Sequence, residues 1–308
     1  MRTLVVWCPD WPVTAHLADH PPGTPIAVLE KGQVLACSPA ARTDGVRRGM
    51  RRRDAQSRCP GLVIADHRPD ADARAFEDVL VAIEELSPGV APLRPGLCAL
   101  RVPEKVYAKE IGKSEGEVAA VLAERLVDLG VWDVRLGVAD GLFAAEQAAR
   151  RALAQDALIV PPGESAAFLA DLPIETLDLP PLASLLRRMG LTTLGAFARL
   201  APADVHTRFG GQGSLLHRYA RGLDPHPISR RAVPPELTAT LALEPPLDNA
   251  ESVAFSLRTT AERFVADLAG HGLVATTVRL EVDSDGMVVS TRSWCGSAAS
   301  RALTSTSA

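Results

Sequence analysis

From Arg2 to Val160, short apolar runs of strand length alternate with amphipathic helical stretches, and the next strand-like run begins only at Leu237. That order restricts the first half to an α+β domain, a mixed sheet with helices packed on it, followed by a separate helical block. Arg2–Cys8 is apolar without helical period and predicts a buried strand. Ile26–Leu29 and Val34–Cys37 flank Lys31-Gly32, a hairpin signal. Further strands are expected at Leu62–Ala65, Val90–Leu93, Leu97–Val102, Val131–Ala139 and Leu158–Val160. Helices are expected over Asp54–Arg58, over Asp70–Leu86, where Phe76, Val79, Leu80 and Ile83 recur at helical spacing, over Glu115–Leu129 and over Leu142–Leu153.

After Glu164 the pattern changes to short helices, Leu182–Met189, Thr193–Leu200, Pro202–Phe209 and Ser214–Gly222, separated by glycines. A linker, Arg230–Pro235, leads to a strand (Leu237–Leu243), a helix (Asn249–Gly270), and two strands (Val274–Val282, Met287–Trp294) about a Ser284-Asp285-Gly286 turn. Ser297–Ala308 is small and polar and is expected to fray.

Charge is segregated. The chain has 33 basic and 37 acidic residues, yet Arg42–Arg58 holds seven arginines against Asp44 and Asp54. Arg187–Arg231 holds eight against Asp204 and Asp224. Positive patches on an acidic chain suit a polyanion, although a solvated arginine-rich face has the same composition. In the second patch, Met189-Gly190-Leu191-Thr192-Thr193 joins two short helices. Such a helix-hairpin-helix can offer backbone N–H groups to phosphate, and equally can be a packing turn. Five scattered cysteines without a CxxC pair exclude a zinc ribbon and argue against a disulfide framework. The seven histidines form no ligand spacing. No apolar run reaches the ~18–20 residues a membrane span needs. Trp7 and Trp132 read as core residues.

Several segments occur in the order found in Y-family translesion DNA polymerases. Ala41-Arg42 followed by Gly45-Val46-Arg47-Arg48-Gly49-Met50, then Cys59-Pro60, resembles that family's fingers signature. Pro25-Ile26-Ala27-Val28 resembles its first fingers strand, and Leu136-Gly137-Val138-Ala139 with Phe143-Ala144 a palm segment. Val160-Pro161-Pro162-Gly163 and Leu172-Pro173-Ile174 resemble the entry to its thumb. The resemblance implies a right-hand architecture: palm at 1–10 and 77–163, fingers at 11–76, a helix-hairpin-helix thumb at 164–232, and an α/β little finger, whole or truncated, at 233–308.

The same resemblance exposes a gap. Family members hold two divalent ions with an Asp at the end of the first strand and an Asp-Glu pair in a later hairpin. By position these fall on Trp7, Gly96 and Leu97, and Val90–Val102 contains no Asp or Glu to which the match could slip. The steric-gate aromatic falls on Pro12, the triphosphate-contacting Tyr on Pro39 and the palm Lys near Ala152, leaving Arg42. Asp10 is the nearest carboxylate in sequence. The resemblance thus implies no catalytic residues, no metal and no cofactor. It points to the family's non-catalytic branch, adaptors of the bacterial damage-inducible mutagenesis cassette. Such an adaptor works in the cytoplasm at the nucleoid, with DNA, a RecA-like accessory protein, an error-prone C-family DNA polymerase and the sliding clamp as partners. No Q-x-x-[LM]-x-[FW] clamp motif is present, so the clamp is implied by the resemblance alone. Candidate DNA contacts are Arg42, Arg47, Arg48, Arg51, Arg52, Arg187, Arg188, Gly190 and Thr192. An active polymerase with relocated ligands near Asp10, and an interaction module without DNA affinity, are the alternatives.

Overall fold

The computed structural model describes residues 2–17, 20–21, 23–86, 89–102, 114–224, 238–243, 250–270, 275, 277–284 and 287–295. The chain divides into two compact units, Met1–Arg231 and Ala232–Ala308.

The first unit is built on a five-stranded mixed sheet. Its strands are β1 (Arg2–Trp7), β5 (Ala91–Arg94), β6 (Leu97–Arg101), β7 (Arg135–Asp140) and β8 (Asp156–Ile159), in the order β5-β6-β1-β7-β8. β1 runs antiparallel to β6 and β7, while β7 and β8 are parallel. Period-two alternation sends Leu4 and Val6 to one face and Val5 and Trp7 to the other. Helices α4 (Pro69–Leu86) and α5 (Glu115–Asp128) cover the first face, packing Phe76, Val79, Ile83, Leu122 and Leu126 on Leu4, Val6, Leu100, Leu136 and Val138. Ser114 and Glu117 form a reciprocal capping box at the start of α5.

Helix α6 (Leu142–Ala149) lies on the second face. It approaches closely because it presents Ala144, Ala145, Ala148 and Ala149, and because Gly137 on β7 has no side chain. A Cβ there would stand 2.2 Å from both Ala145 O and Ala149 N.

A smaller sheet holds β2 (Ile26–Glu30), β3 (Gln33–Cys37) and β4 (Val63–Asp66), in the order β3-β2-β4. Short helices α2 (Pro39–Thr43) and α3 (Arg52–Arg58) connect its strands, and α1 (Trp11–Leu17) precedes them. The Gly49–Arg51 backbone follows β3: Val34 N donates to Met50 O (2.8 Å), Gly49 N to Val34 O (2.8 Å), and Gln33 bridges Arg51.

The helical block contains α7 (Ser165–Ala170), a 3₁₀ turn (Ile174–Leu177), α8 (Pro180–Arg188), α9 (Leu194–Ala198) and α10 (Pro202–Ala220). The expected break between the last two predicted helices survives as a kink at Gly210, with φ 65° and ψ −164°. Asp224, just past α10, accepts Leu142 N at 2.6 Å and Phe143 N at 3.1 Å, capping α6 from a distant segment. Phe143 stacks on Tyr219 beside it, with ring centroids 5.2 Å apart. Asp224→Ala is expected to cost about 1–2 kcal/mol, the usual worth of an N-cap, read as a lower denaturant midpoint with unchanged slope. An unchanged midpoint would show that the cap contributes nothing.

The second unit contains α11 (Ala250–Gly270) and an antiparallel hairpin of β9 (Thr277–Ser284) and β10 (Met287–Cys295). The strand expected at Leu237–Leu243 is not formed over residues 238–243. The Arg230–Pro235 linker, Asp285-Gly286 and the Ser297–Ala308 tail lie outside the described residues.

Candidate nucleic-acid interface

The Arg42–Arg58 segment forms an ordered, exposed cationic strip. Glycines with positive φ turn the chain at Gly45 (89°) and Gly49 (84°), and the edge pairing to β3 then fixes the backbone. Arg48, Arg51, Arg52, Arg53 and Arg58 are exposed and make no side-chain ion pair among the described residues. Two of the sequence candidates are already engaged. Arg47 donates to Arg42 O (2.6 Å) and Val46 O (2.9 Å). Arg42, expected from the resemblance to contact phosphate, is bonded to the carboxylate of Asp10, just past β1.

The hairpin candidates lie in the helical block. Gly190, with φ 80°, closes α8 and donates its N–H to Arg187 O at 2.9 Å. Leu191 N donates to Leu186 O (2.9 Å), and Thr192 O accepts Ile174 N (2.9 Å). Thr193 caps α9, taking Ala196 N on its hydroxyl. Thr192 and Arg188 are exposed, whereas Arg187 is bonded to Glu175. Several polar groups of this turn are therefore spent on packing.

The three positions read as lost metal ligands come together. Trp7 pairs directly with Leu97 across β1 and β6, and Gly96 forms the adjoining hairpin turn with φ 82°. Gly96 O accepts Cys8 N at 2.8 Å. A Cβ on Gly96 would lie 2.6 Å from the Trp11 Cβ, so even a carboxylate restored there has no room without displacing Trp11. Burial, with the nearby Asp133 carboxylate adding to it, pushes the Cys8 thiol up to about 12.

Divalent ions of the Mg²⁺ type need hard oxygen donors. Trp7, Gly96 and Leu97 supply none from their side chains. Two carboxylates near them are bonded to arginines, Asp133 to Arg135 (2.8 Å) and Glu146 to Arg150 (2.7 Å). Both guanidiniums lie over the Trp7 ring, at 5.6 Å and 5.2 Å from its centroid. These residues do not fit a two-metal centre.

Sequence reasoning missed Arg94, Arg135 and Arg150 here. Arg135 shares the strand face of Gly137 and Ala139, but only the register with β1 shows that this face meets Trp7. Trp132, expected in the core, is 68% exposed because β7 begins at Arg135 and leaves it in the preceding turn. Trp11 is buried edge-on against Phe76, and its indole N–H donates to Asp72 O (2.9 Å). Of the other degraded pocket positions, Pro39 is exposed and Ala152 buried.

Comparison with known proteins agrees with this architecture. The model of the IMS family, impB/mucB/samB, matches residues 6–150. A DNA polymerase IV of Dehalococcoides mccartyi (strain CBDB1) is 24% identical over 257 residues, covering 82% of this chain and 64% of that protein. Protein ImuB of Caulobacter vibrioides (strain NA1000 / CB15N) is 31% identical over 243 residues, covering 77% of this chain and 48% of that protein. The chain thus spans less than two thirds of the first and about half of the second. A solved ternary complex of Dbh aligns with a TM-score of 0.63 at 15% identity, covering 96% of this chain and 88% of that one. No helix among the described residues is long and apolar enough to cross a membrane. Residues 6–150 are therefore similar to the impB/mucB/samB family, on an α+β fold like that of the solved Dbh complex.

Proposed function

We propose that this chain is a non-catalytic, ImuB-like adaptor of mutagenic translesion DNA synthesis. In this reading it binds DNA without reading sequence and recruits the proteins that carry out synthesis. The observation that carries the proposal is the side-chain set at the catalytic position. In this reading Trp7, Gly96 and Leu97 replace three carboxylates; it is supported by the pairing of Trp7 with Leu97 and by Arg135 and Arg150 over the Trp7 ring. A two-metal phosphoryl transfer requires negative charge at that point to hold the ions. The exposed Arg48–Arg53 strip supplies phosphate affinity of the sequence-independent kind.

The partners in this reading are DNA, a RecA-like accessory protein (ImuA or its counterpart) and an error-prone C-family DNA polymerase. The sliding clamp has the least support from this sequence, which lacks the clamp motif. The place of action is the cytoplasmic nucleoid after DNA damage.

The names of the DNA polymerase IV relatives favour an active polymerase as the second reading. It requires Asp10 to act as a metal ligand, and Asp10 is bonded to Arg42. Primer extension separates the two. With Mg²⁺ or Mn²⁺ and all four deoxynucleoside triphosphates, the primer is expected to stay at its starting length. Reproducible extension by clean protein would overturn the adaptor reading, and its loss in Asp10→Ala would assign the relocated ligand.

A further inference from the structure

A row of paired residues crosses one end of the five-stranded sheet: Arg94 on β5, Leu97 on β6, Trp7 on β1, Arg135 on β7 and Asp156 on β8. Directly paired residues present their side chains on one face. Arg150, which follows α6, adds its guanidinium above Trp7. Glu146 is shared between two cations, Arg150 at 2.7 Å and Arg94 at 3.5 Å. Arg135 has its own partner in Asp133. The row and the start of the segment after α6 thus bring three guanidiniums, Arg94, Arg135 and Arg150, together with the carboxylates of Asp133, Glu146 and Asp156. A two-metal centre needs a carboxylate excess at this spot, and here cations and carboxylates are equal in number.

Resting on the reading of Trp7, Gly96 and Leu97 as the positions of lost metal ligands, we infer that this end of the sheet is a phosphate-binding site. It takes a phosphate group through Arg94 and Arg150, whose guanidiniums share one carboxylate. The Arg94 and Arg150 side chains are 51% and 36% exposed, so both can reach a ligand from solvent. Each guanidinium carries five N–H donors in a planar fork, more than one shared carboxylate can use. The Trp7 ring holds the Arg150 plane by cation–π contact, which lowers the ordering cost of grasping a planar or tetrahedral anion. The phosphate can belong to a DNA strand or to a small phosphate compound, and the chemistry of recognition is the same.

Calorimetry in EDTA tests this with two probes, inorganic pyrophosphate and a primed DNA duplex. Pyrophosphate is expected to bind and to lose about tenfold in affinity in Arg94→Gln and again in Arg150→Gln, the loss typical of one charge-assisted hydrogen bond. Arg94 is half exposed, so its variant keeps the fold even if Arg150→Gln loosens α6. Mn²⁺ alone is expected to leave the Trp7 indole resonance sharp. A matching loss for the duplex assigns the phosphate to DNA, and a loss for pyrophosphate only assigns it to a small compound. The site is refuted if pyrophosphate does not bind, if it binds both variants like wild type, or if Mn²⁺ broadens the Trp7 signal. Primer extension by a protein that still binds pyrophosphate would sink the adaptor reading and leave this site standing.

Discussion

Reversing Arg48, Arg51, Arg52 and Arg53 to Glu is expected to weaken duplex DNA binding by about a hundredfold or more at low salt. It is also expected to reduce the slope of log affinity against log salt by about 3–4, since each neutralised phosphate contributes about 0.9. These four are chosen because their guanidiniums are exposed and make no ion pair among the described residues. Arg47 is left intact, since it holds the turn through Arg42 O and Val46 O. The four sit on a backbone fixed by β3, so the melting temperature serves as the folding control. A parallel Arg187→Glu/Arg188→Glu variant is expected to lose far less, because Arg187 is already bonded to Glu175 and contributes little free charge. Filter binding across a salt series reads both effects. An unchanged salt slope in the fourfold variant would remove the strip from the DNA surface.

Gly137→Val is expected to prevent folding. The first atom of any side chain there would lie 2.2 Å from Ala145 O and Ala149 N, and both are backbone atoms that cannot swing aside. Relief requires lifting α6 off β7, which opens the core formed by Val5, Ala99, Ala139, Ala144 and Ala148. Overpacking against backbone costs more than the ~1–3 kcal/mol of ordinary core insertions. A figure of about 4–5 kcal/mol or above approaches the whole stability of a domain. Gly130→Ala is the matched control. Gly130 has φ 90° but nothing within 4 Å of its Cβ position, so that variant should lose only about 1 kcal/mol of backbone strain. Denaturant melts, or the soluble yield if Gly137→Val does not accumulate, measure the contrast. A Gly137→Val protein melting beside Gly130→Ala would mean that α6 does not rest on the sheet as described.

What was legible in the sequence follows from where the information is local. The apolar run at Arg2–Cys8 gives β1, and helical spacing gives α4 and α5, because burial patterns repeat within one element. Gly190 and Gly210 mark real interruptions because positive φ is a property of single residues. Helix α1 was missed: Pro12 reads as a breaker, yet at the second helical position it has no N–H to waste. The exposure of Trp132 was missed because an apolar run does not announce where pairing begins. The expectation that Trp7, Gly96 and Leu97 stand at the family's metal-ligand positions rests on sequence position alone. The gathering of Arg94, Arg135 and Arg150 around Trp7 was not legible, since it depends on the register of β5, β1 and β7 and on how α6 crosses them.

The bond from Asp224 to the start of α6 spans 82 positions. During synthesis, α6 leaves the ribosome long before the residue that completes it. The sheet face under α6 therefore stays provisionally covered until the helical block has been made and folded back. The two parts are thereby stitched into one cooperative body, in which loosening the block also releases α6.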